Sequence, residues 1–246
     1  MKTLIIDYGV SNLGSVSRAV EECGGKVFVN DYPKKSEKFE KIILPGVGSF
    51  HVGMKNLRDR GWPEFIKQFV LEKEIPILGI CLGMQLLADS GEEGGETPGL
   101  GLISGQVEKL KSSEGGERIP HVGWNQIHQK RKDLLLEGVL PGADFYFVHS
   151  YHLVPTNKKD ILATTPYCNN FVSVVNKKNI YGTQFHPEKS GLTGFMILKN
   201  FTTKICKLKL KTYDISVKDL IKQIKNAVKD QKVICAVSGG VDSSVA

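Results

Sequence analysis

The stretch Ile75-Pro76-Ile77-Leu78-Gly79-Ile80-Cys81-Leu82-Gly83-Met84-Gln85-Leu86-Leu87 constrains this chain more than any other. It reads as a short apolar strand, a sharp turn carrying one cysteine, and a helix. So tight a turn crowds the residues on either side of its apex. Gly79 and Gly83 stand where a side chain would strike the strand or the helix. Cys81 would lie at a helix N-terminus, where free N–H groups and the helix dipole favour a thiolate. The same pattern also fits an inert cysteine buried between a strand and a helix. The rest of the chain has to decide.

The surroundings repeat the strand-then-helix theme. Residues 3–7 read as a buried strand, followed by a Gly/Ser/Asn turn from Tyr8 and a helix to about Cys23, which Gly24-Gly25 stops. Val27–Asn30 and Lys41–Leu44 read as further strands, the latter ending in Pro45-Gly46-Val47-Gly48. Residues 53–74 read as helical with a break near Gly61-Trp62-Pro63, and 76–80 as the strand of the elbow. Alternation of this kind predicts an α/β fold with an open, mostly parallel sheet covered by helices on both faces. Sites in such sheets lie at the carboxyl ends of the strands. Asp7-Tyr8-Gly9, Pro45–Gly48 and Cys81 all fall at such ends.

The middle differs. Glu92–Gly99 reads as a loop. Gly105–Leu110, Phe145–Val148, Ile161–Thr165, Phe171–Val175 and Tyr181–Phe185 read as short strands, so an antiparallel extension is expected. Residues 190–207 read as a closing helix.

Bulk properties exclude several classes. No apolar run approaches the roughly 20 residues of a membrane span, and the N-terminal apolar run is too short for a signal peptide. The five cysteines (Cys23, Cys81, Cys168, Cys206, Cys235) are scattered and never form a CxxC pair. That argues for the cytoplasm and against a disulfide frame or a zinc site. Of the net charge of +7, residues 204–246 hold +5, from nine lysines against four acids. The body is therefore close to neutral. No aromatics interleave with the lysines, and no nucleic-acid or membrane partner is expected.

Tyr181-Gly182-Thr183-Gln184-Phe185-His186-Pro187-Glu188 supplies what the elbow lacks. In an extended segment residues i and i+2 share a face, which would set His186 beside Glu188. Pro187 restricts the backbone between them. This is the layout of a base and the carboxylate that orients it, with Cys81 as the nucleophile they serve.

Taken together, Gly79–Gln85, Gln184–Glu188 and Pro45–Gly48 resemble the signature segments and oxyanion strand of the class I, or triad, glutamine amidotransferases. The resemblance implies a flavodoxin-like sheet over roughly residues 1–207. It implies catalysis by Cys81, His186 and Glu188 without metal or cofactor, and glutamine as substrate. Oxyanion donors would come from Leu82 and from Gly46, Val47 and Gly48. By resemblance, Gln85, Glu93, Ser150 and Tyr151 help hold the glutamine. A finer match lies in Asp7–Gly9 with Asn12-Leu13, Glu92–Gly95 before Gly99–Gly101, Pro120–Asn125 and Phe145–Tyr151. It is to those family members that pass ammonia to a separate (β/α)8-barrel cyclase in histidine biosynthesis, as a heterodimer. In them the oxyanion strand becomes competent only when the partner is docked and loaded. The resemblance puts the Trp124 segment near the partner-facing side, although packing is the expected role of Trp124 itself. Tyr8 and Asn12 would shape the partner interface and ammonia exit or serve an ordinary turn. His121, His128, His149 and His152 are expected to be structural or on the surface.

Residues 208–246 stand outside that match. Ser216–Lys229 reads as an amphipathic helix and Val233–Val237 as a buried strand entering Ser238-Gly239-Gly240-Val241-Asp242-Ser243-Ser244. The last motif resembles the pyrophosphate loop of N-type ATP pyrophosphatases. It suggests a linker helix and the start of a second domain. An alternative partner reaction would then be an ATP-dependent amidating synthetase acting on a nucleotide or sugar.

Overall fold

The apolar runs that end in glycine-rich turns become the parallel strands of one sheet. The computed structural model describes residues 1–34, 38–112 and 116–206. Its first half runs β1 (Lys2–Ile6), α1 (Leu13–Glu22), β2 (Lys26–Asn30), β3 (Lys41–Gly46), α2 (Phe50–Asp59), α3 (Trp62–Lys67), β4 (Ile77–Cys81) and α4 (Leu82–Leu86). The second half adds β5 (Ser90–Gly91), β6 (Thr97–Pro98), β7 (Gly105–Lys109), β8 (His121–Gln126), β9 (His128–Gln129) and β10 (Asp144–His149). It closes with β11 (Tyr151–Pro155), β12 (Ile161–Thr165), β13 (Phe171–Lys177), β14 (Ile180–Thr183) and α5 (Gly191–Thr203).

The eight-stranded sheet has the order β2-β1-β3-β4-β14-β13-β12-β9. β2, β1, β3, β4 and β14 are mutually parallel, and β13, β12 and β9 continue the sheet antiparallel. Successive side chains point to opposite faces. Thus Leu4, Ile6, Ile42, Leu44 and Ile77 join the core beneath α2, α3 and α4, whereas Ile5, Ile43, Leu78 and Ile80 join the core beneath α1 and α5. Both faces are apolar because both are covered, as parallel sheets require.

Four local expectations change. β3 does not stop at Leu44: it continues through Pro45 and Gly46, which pair with Ile80 and Cys81. The helix expected over 53–74 starts at Phe50, breaks at Gly61 (φ +74), restarts with Pro63 in its first turn and ends in a π turn over Gln68–Glu72. Only a residue at ease with positive φ joins the two pieces so sharply. The region read as a loop contains the short β6. β8 and β11, which were not expected as separate strands, pair with β10 and β7.

β8 and β10 form a two-stranded ribbon beside the main sheet. Its outer face carries Val122, Trp124 and Val148, and Trp124 is 57% exposed. The packing role expected for Trp124 is therefore not what the fold gives it, although its ring does meet Tyr146 edge-on at 6.0 Å. Among the described residues, no helix is long and apolar enough to cross a membrane. The expected helix over 216–229, the strand over 233–237 and the loop over 238–244 lie outside the described residues.

Candidate active site

Cys81 is the last residue of β4 and immediately precedes α4, with φ +53 and ψ −108. That backbone is costly for a residue with a Cβ, and such strain persists only where surrounding structure enforces it. The two glycines do so. A Cβ on Gly79 would lie 2.6 Å from the Gly83 carbonyl oxygen, and one on Gly83 would overlap the carbonyl oxygen of Leu44 in β3. Gly79 thus lets the helix fold back on its own strand, and Gly83 lets it lie against the neighbouring one. α4 is only five residues long. Its dipole offers less to a thiolate than a longer helix would.

His186 follows β14, the strand next to β4, and so arrives beside the elbow. Its Nδ1 lies 2.8 Å from Glu188 Oε1, and both side chains are 1% exposed. The pairing matches the expectation, but the reason differs. Pro187–Lys189 is a 3-10 turn, not an extended segment, and the turn folds Glu188 back under the ring. Nε2 is buried without a hydrogen-bond partner among the described residues. Burial opposes charge on the ring, but Cys81 and Glu188 outweigh it and hold the imidazole up at about 10.

The oxyanion segment lies at the end of β3. Leu82 opens α4, so its N–H has no acceptor within the helix. Gly46 is packed on Tyr8, whose hydroxyl a Cβ there would overlap. Burial, with Cys81 nearby, raises the Tyr8 phenol well above its usual value and keeps it neutral. Tyr8 is fully buried, so its side chain offers no exposed partner surface, while the other expected roles, at an ammonia exit or in an ordinary turn, are compatible with that burial. Asn12 occupies the N-cap of α1 without a side-chain cap bond. The Val47 N–H donates to the Val10 carbonyl at 2.8 Å. It therefore points away from the role expected of it. Gly48, at φ +114, supplies a hinge next to it.

A cavity of about 480 Å³ opens over Cys81 and is lined by Val47, Gly48, Leu82, Gln85, Glu93, Ser150 and Tyr151, with Ser49, Pro120, Val148 and His149. Its size suits a small polar ligand. All the residues expected to hold a substrate line it. His186 and Glu188 are not among its lining residues. Glu93 Oε2 accepts from the Phe50 N–H at 2.8 Å, which opposes the upward shift that burial imposes on its carboxyl. Gln85 Nε2 donates to Tyr151 O at 2.7 Å and to Gln184 Oε1 at 3.1 Å. Its amide nitrogen is thus already engaged.

Sequence reasoning missed two groups. Gln184 Nε2 lies 3.6 Å from Cys81 Sγ. The signal was its place in the motif before His186, but nothing in the sequence showed where it pointed. The second is a histidine pair. His149 Nδ1 bonds to Tyr151 O at 2.9 Å, and its Nε2 meets His121 Nδ1 at 3.2 Å. Of the four histidines expected to be structural or on the surface, His121 and His149 are buried, His152 is half-buried and only His128 is exposed. Burial lowers His121 to about 4, His149 to about 3 and His152 to about 4.

These lowered values carry a sign for stability. Below pH ~6.5 an unfolded histidine binds a proton that these buried rings refuse. Their stabilisation is complete above that pH and is lost as pH falls toward about 4. Urea midpoints measured from pH 7 to 5 should drop steeply. A flat profile would show that the rings charge freely in the folded state.

This fold and site define a class of protein. The chain belongs to the class-I glutamine amidotransferases, whose family model matches residues 4–205. The similarity sharpens within that class, to subunit HisH of imidazole glycerol phosphate synthase. HisH 2 of Methanococcus maripaludis is 45% identical over 197 residues, covering 80% of this chain and 96% of the relative. HisH of Moorella thermoacetica is also 45% identical over 197 residues, covering 80% and 92%. Among solved structures, PurLQS from Thermotoga maritima superposes with TM-score 0.64 at 19% identity, covering 81% of this chain and 96% of that one. A glutamine amidotransferase from the same organism does so with TM-score 0.57 at 17% identity, covering 93% and 92%. These two likenesses speak to the fold alone.

Proposed function

We propose that this chain is the glutaminase subunit of an imidazole glycerol phosphate synthase. It would hydrolyse glutamine to glutamate and ammonia. The ammonia would pass to a (β/α)8-barrel cyclase that makes imidazole glycerol phosphate and AICAR in histidine biosynthesis. The observation that carries the reading is the buried Cys81–His186–Glu188 arrangement under a cavity of substrate size. Identity to HisH over nearly the whole length of the relatives supports the partner reaction.

Cys81 gives its proton to His186 Nε2 and attacks the side-chain amide carbon of glutamine. Collapse of the tetrahedral intermediate expels ammonia as His186 returns the proton to the leaving nitrogen. The glutamyl thioester is then hydrolysed by water, which His186 deprotonates, and the thiol is regenerated. Glu188 holds the ring and balances its charge. Glu93, beside the α2 N-terminus, would receive the ammonium of the substrate. Ser150 and Tyr151 border the same space. The glutaminase domain spans residues 1–207, and the exposed Val122, Trp124 and Val148 face offers the cyclase its docking surface.

The oxyanion needs a second donor besides Leu82, and the Val47 N–H is bonded to Val10 instead. The isolated chain should therefore be slow. Releasing Val47 should restore one oxyanion donor, worth about 10²–10³ in rate. Glutamate release, measured with a cyclase partner and its nucleotide ligand, should rise by about that factor. Absence of stimulation across several cyclases would sink the reading. A second reading, a glutaminase module for an ATP-dependent amidating synthetase, rests on Ser238–Ser244. Stimulation by such a synthetase with ATP, and not by a cyclase, would favour it.

A further inference from the structure

Cys81 is 5% exposed. A thiolate there is costly unless donors face it. One backbone group near it does not help: the Val148 carbonyl oxygen lies 3.8 Å from Sγ and suits the neutral thiol as donor. His186 supplies charge from one side. Tyr8, close enough to feel the thiolate, is neutral. Among the described residues, the other group within bonding distance of the sulfur is the Gln184 side chain, at 3.6 Å, which is 0% exposed.

Which end of that amide meets the sulfur follows from one backbone carbonyl. Tyr151 O can only accept. Gln85, 2.7 Å from it, must present its NH2 there. The same NH2 meets Gln184 at 3.1 Å, so the atom facing it must be Oε1. The NH2 of Gln184 is thereby turned to Cys81. We propose that Gln184 is a catalytic residue that stabilises the Cys81 thiolate by donating to it, and that Gln85 is a positioning residue that fixes the direction of that donor. The inference rests on Cys81 being the nucleophile. Gln85 keeps its place in the lining of the cavity, because only its amide nitrogen is engaged by Tyr151 and Gln184.

The test is alkylation of Cys81 by iodoacetamide at one fixed pH, without glutamine, in the full chain, with the modified site located by mass spectrometry. Gln184→Met loses the donor, and Gln85→Met frees the amide to turn its oxygen to the sulfur. Each should alkylate about 10-fold more slowly than the parent, as expected for a lost bond to a charged group. In the stimulated assay Gln184→Met should lower kcat about 10- to 100-fold and leave KM for glutamine within about twofold. Gln184→Glu keeps an acceptor for Gln85, which protects the fold, yet removes the donor; it should be slow as well. Parent-like alkylation by folded Gln184→Met or Gln184→Glu would overturn the proposal. Parent-like alkylation by folded Gln85→Met would overturn the positioning role. If the parent alkylates at Cys81 yet never hydrolyses glutamine with any partner, the glutaminase reading fails while this comparison still stands.

Discussion

Cys81→Ala is expected to abolish glutamine hydrolysis, by about 10⁴-fold or more, and to leave the fold intact. The loss follows from covalent chemistry: without Sγ no thioester forms, and water in the same cavity has neither the nucleophilicity nor the position to replace it. The intact fold follows from geometry. Position 81 holds φ +53, and alanine is no more strained there than cysteine because both carry a Cβ. The thiol gives up two long contacts, at 3.6 Å to Gln184 and 3.8 Å to Val148, and its interaction with His186. Glutamate release in the stimulated assay and thermal unfolding of the same sample check both halves. Hydrolysis surviving above about 1% of the parent rate would remove Cys81 from the mechanism, because a triad without its nucleophile retains far less.

The elbow was legible in the sequence because its constraint is steric and local. Gly79 and Gly83 are glycines for reasons a few residues away, at Gly83 O and Leu44 O. The parallel half of the sheet was legible for a similar reason, since a strand covered on both faces must be continuously apolar. β8 was not. Its polar His121 points inward and its apolar Val122 and Trp124 point outward, the reverse of the pattern that marks a half-buried strand. An outward apolar face of this kind is what the proposed cyclase partner would cover. Its cause would then lie in assembly and not in this chain's own core.

Within the site, side-chain identity was legible and hydrogen-bond direction was not. His186 and Glu188 could be paired from their spacing, although a 3-10 turn and not a strand brings them together. Backbone bonds leave no trace in residue type, so nothing marked the Val47 N–H as bonded to Val10. The orientation of Gln184 is set by Tyr151 O through Gln85, a dependence that exists only once β11, α4 and the segment after β14 meet. The same carbonyl accepts from His149, whose Nε2 meets His121 on the ribbon. One oxygen thus links the exposed ribbon, through Gln85 and Gln184, to the nucleophile.

His186→Ala should cost about 10³–10⁴-fold in kcat, because it removes both the base that accepts the thiol proton and the acid that delivers it to ammonia. Glu188→Gln is the finer test. The carboxylate accepts from Nδ1 at 2.8 Å and balances an imidazolium that Cys81 and Glu188 together hold up at about 10. An amide of the same shape can still accept, but it carries no charge and can present NH2 to Nδ1. That orientation would put the ring proton on Nε2 and block the base. A loss of about 10²–10⁴-fold in kcat, with KM for glutamine little changed, is therefore expected. The decisive comparison is Cys81→Ala combined with His186→Ala. The base has no function without the nucleophile, so the double variant should be no slower than Cys81→Ala alone. If the two losses multiply instead, His186 acts on the substrate independently of the thiol, and the pair is not a catalytic unit.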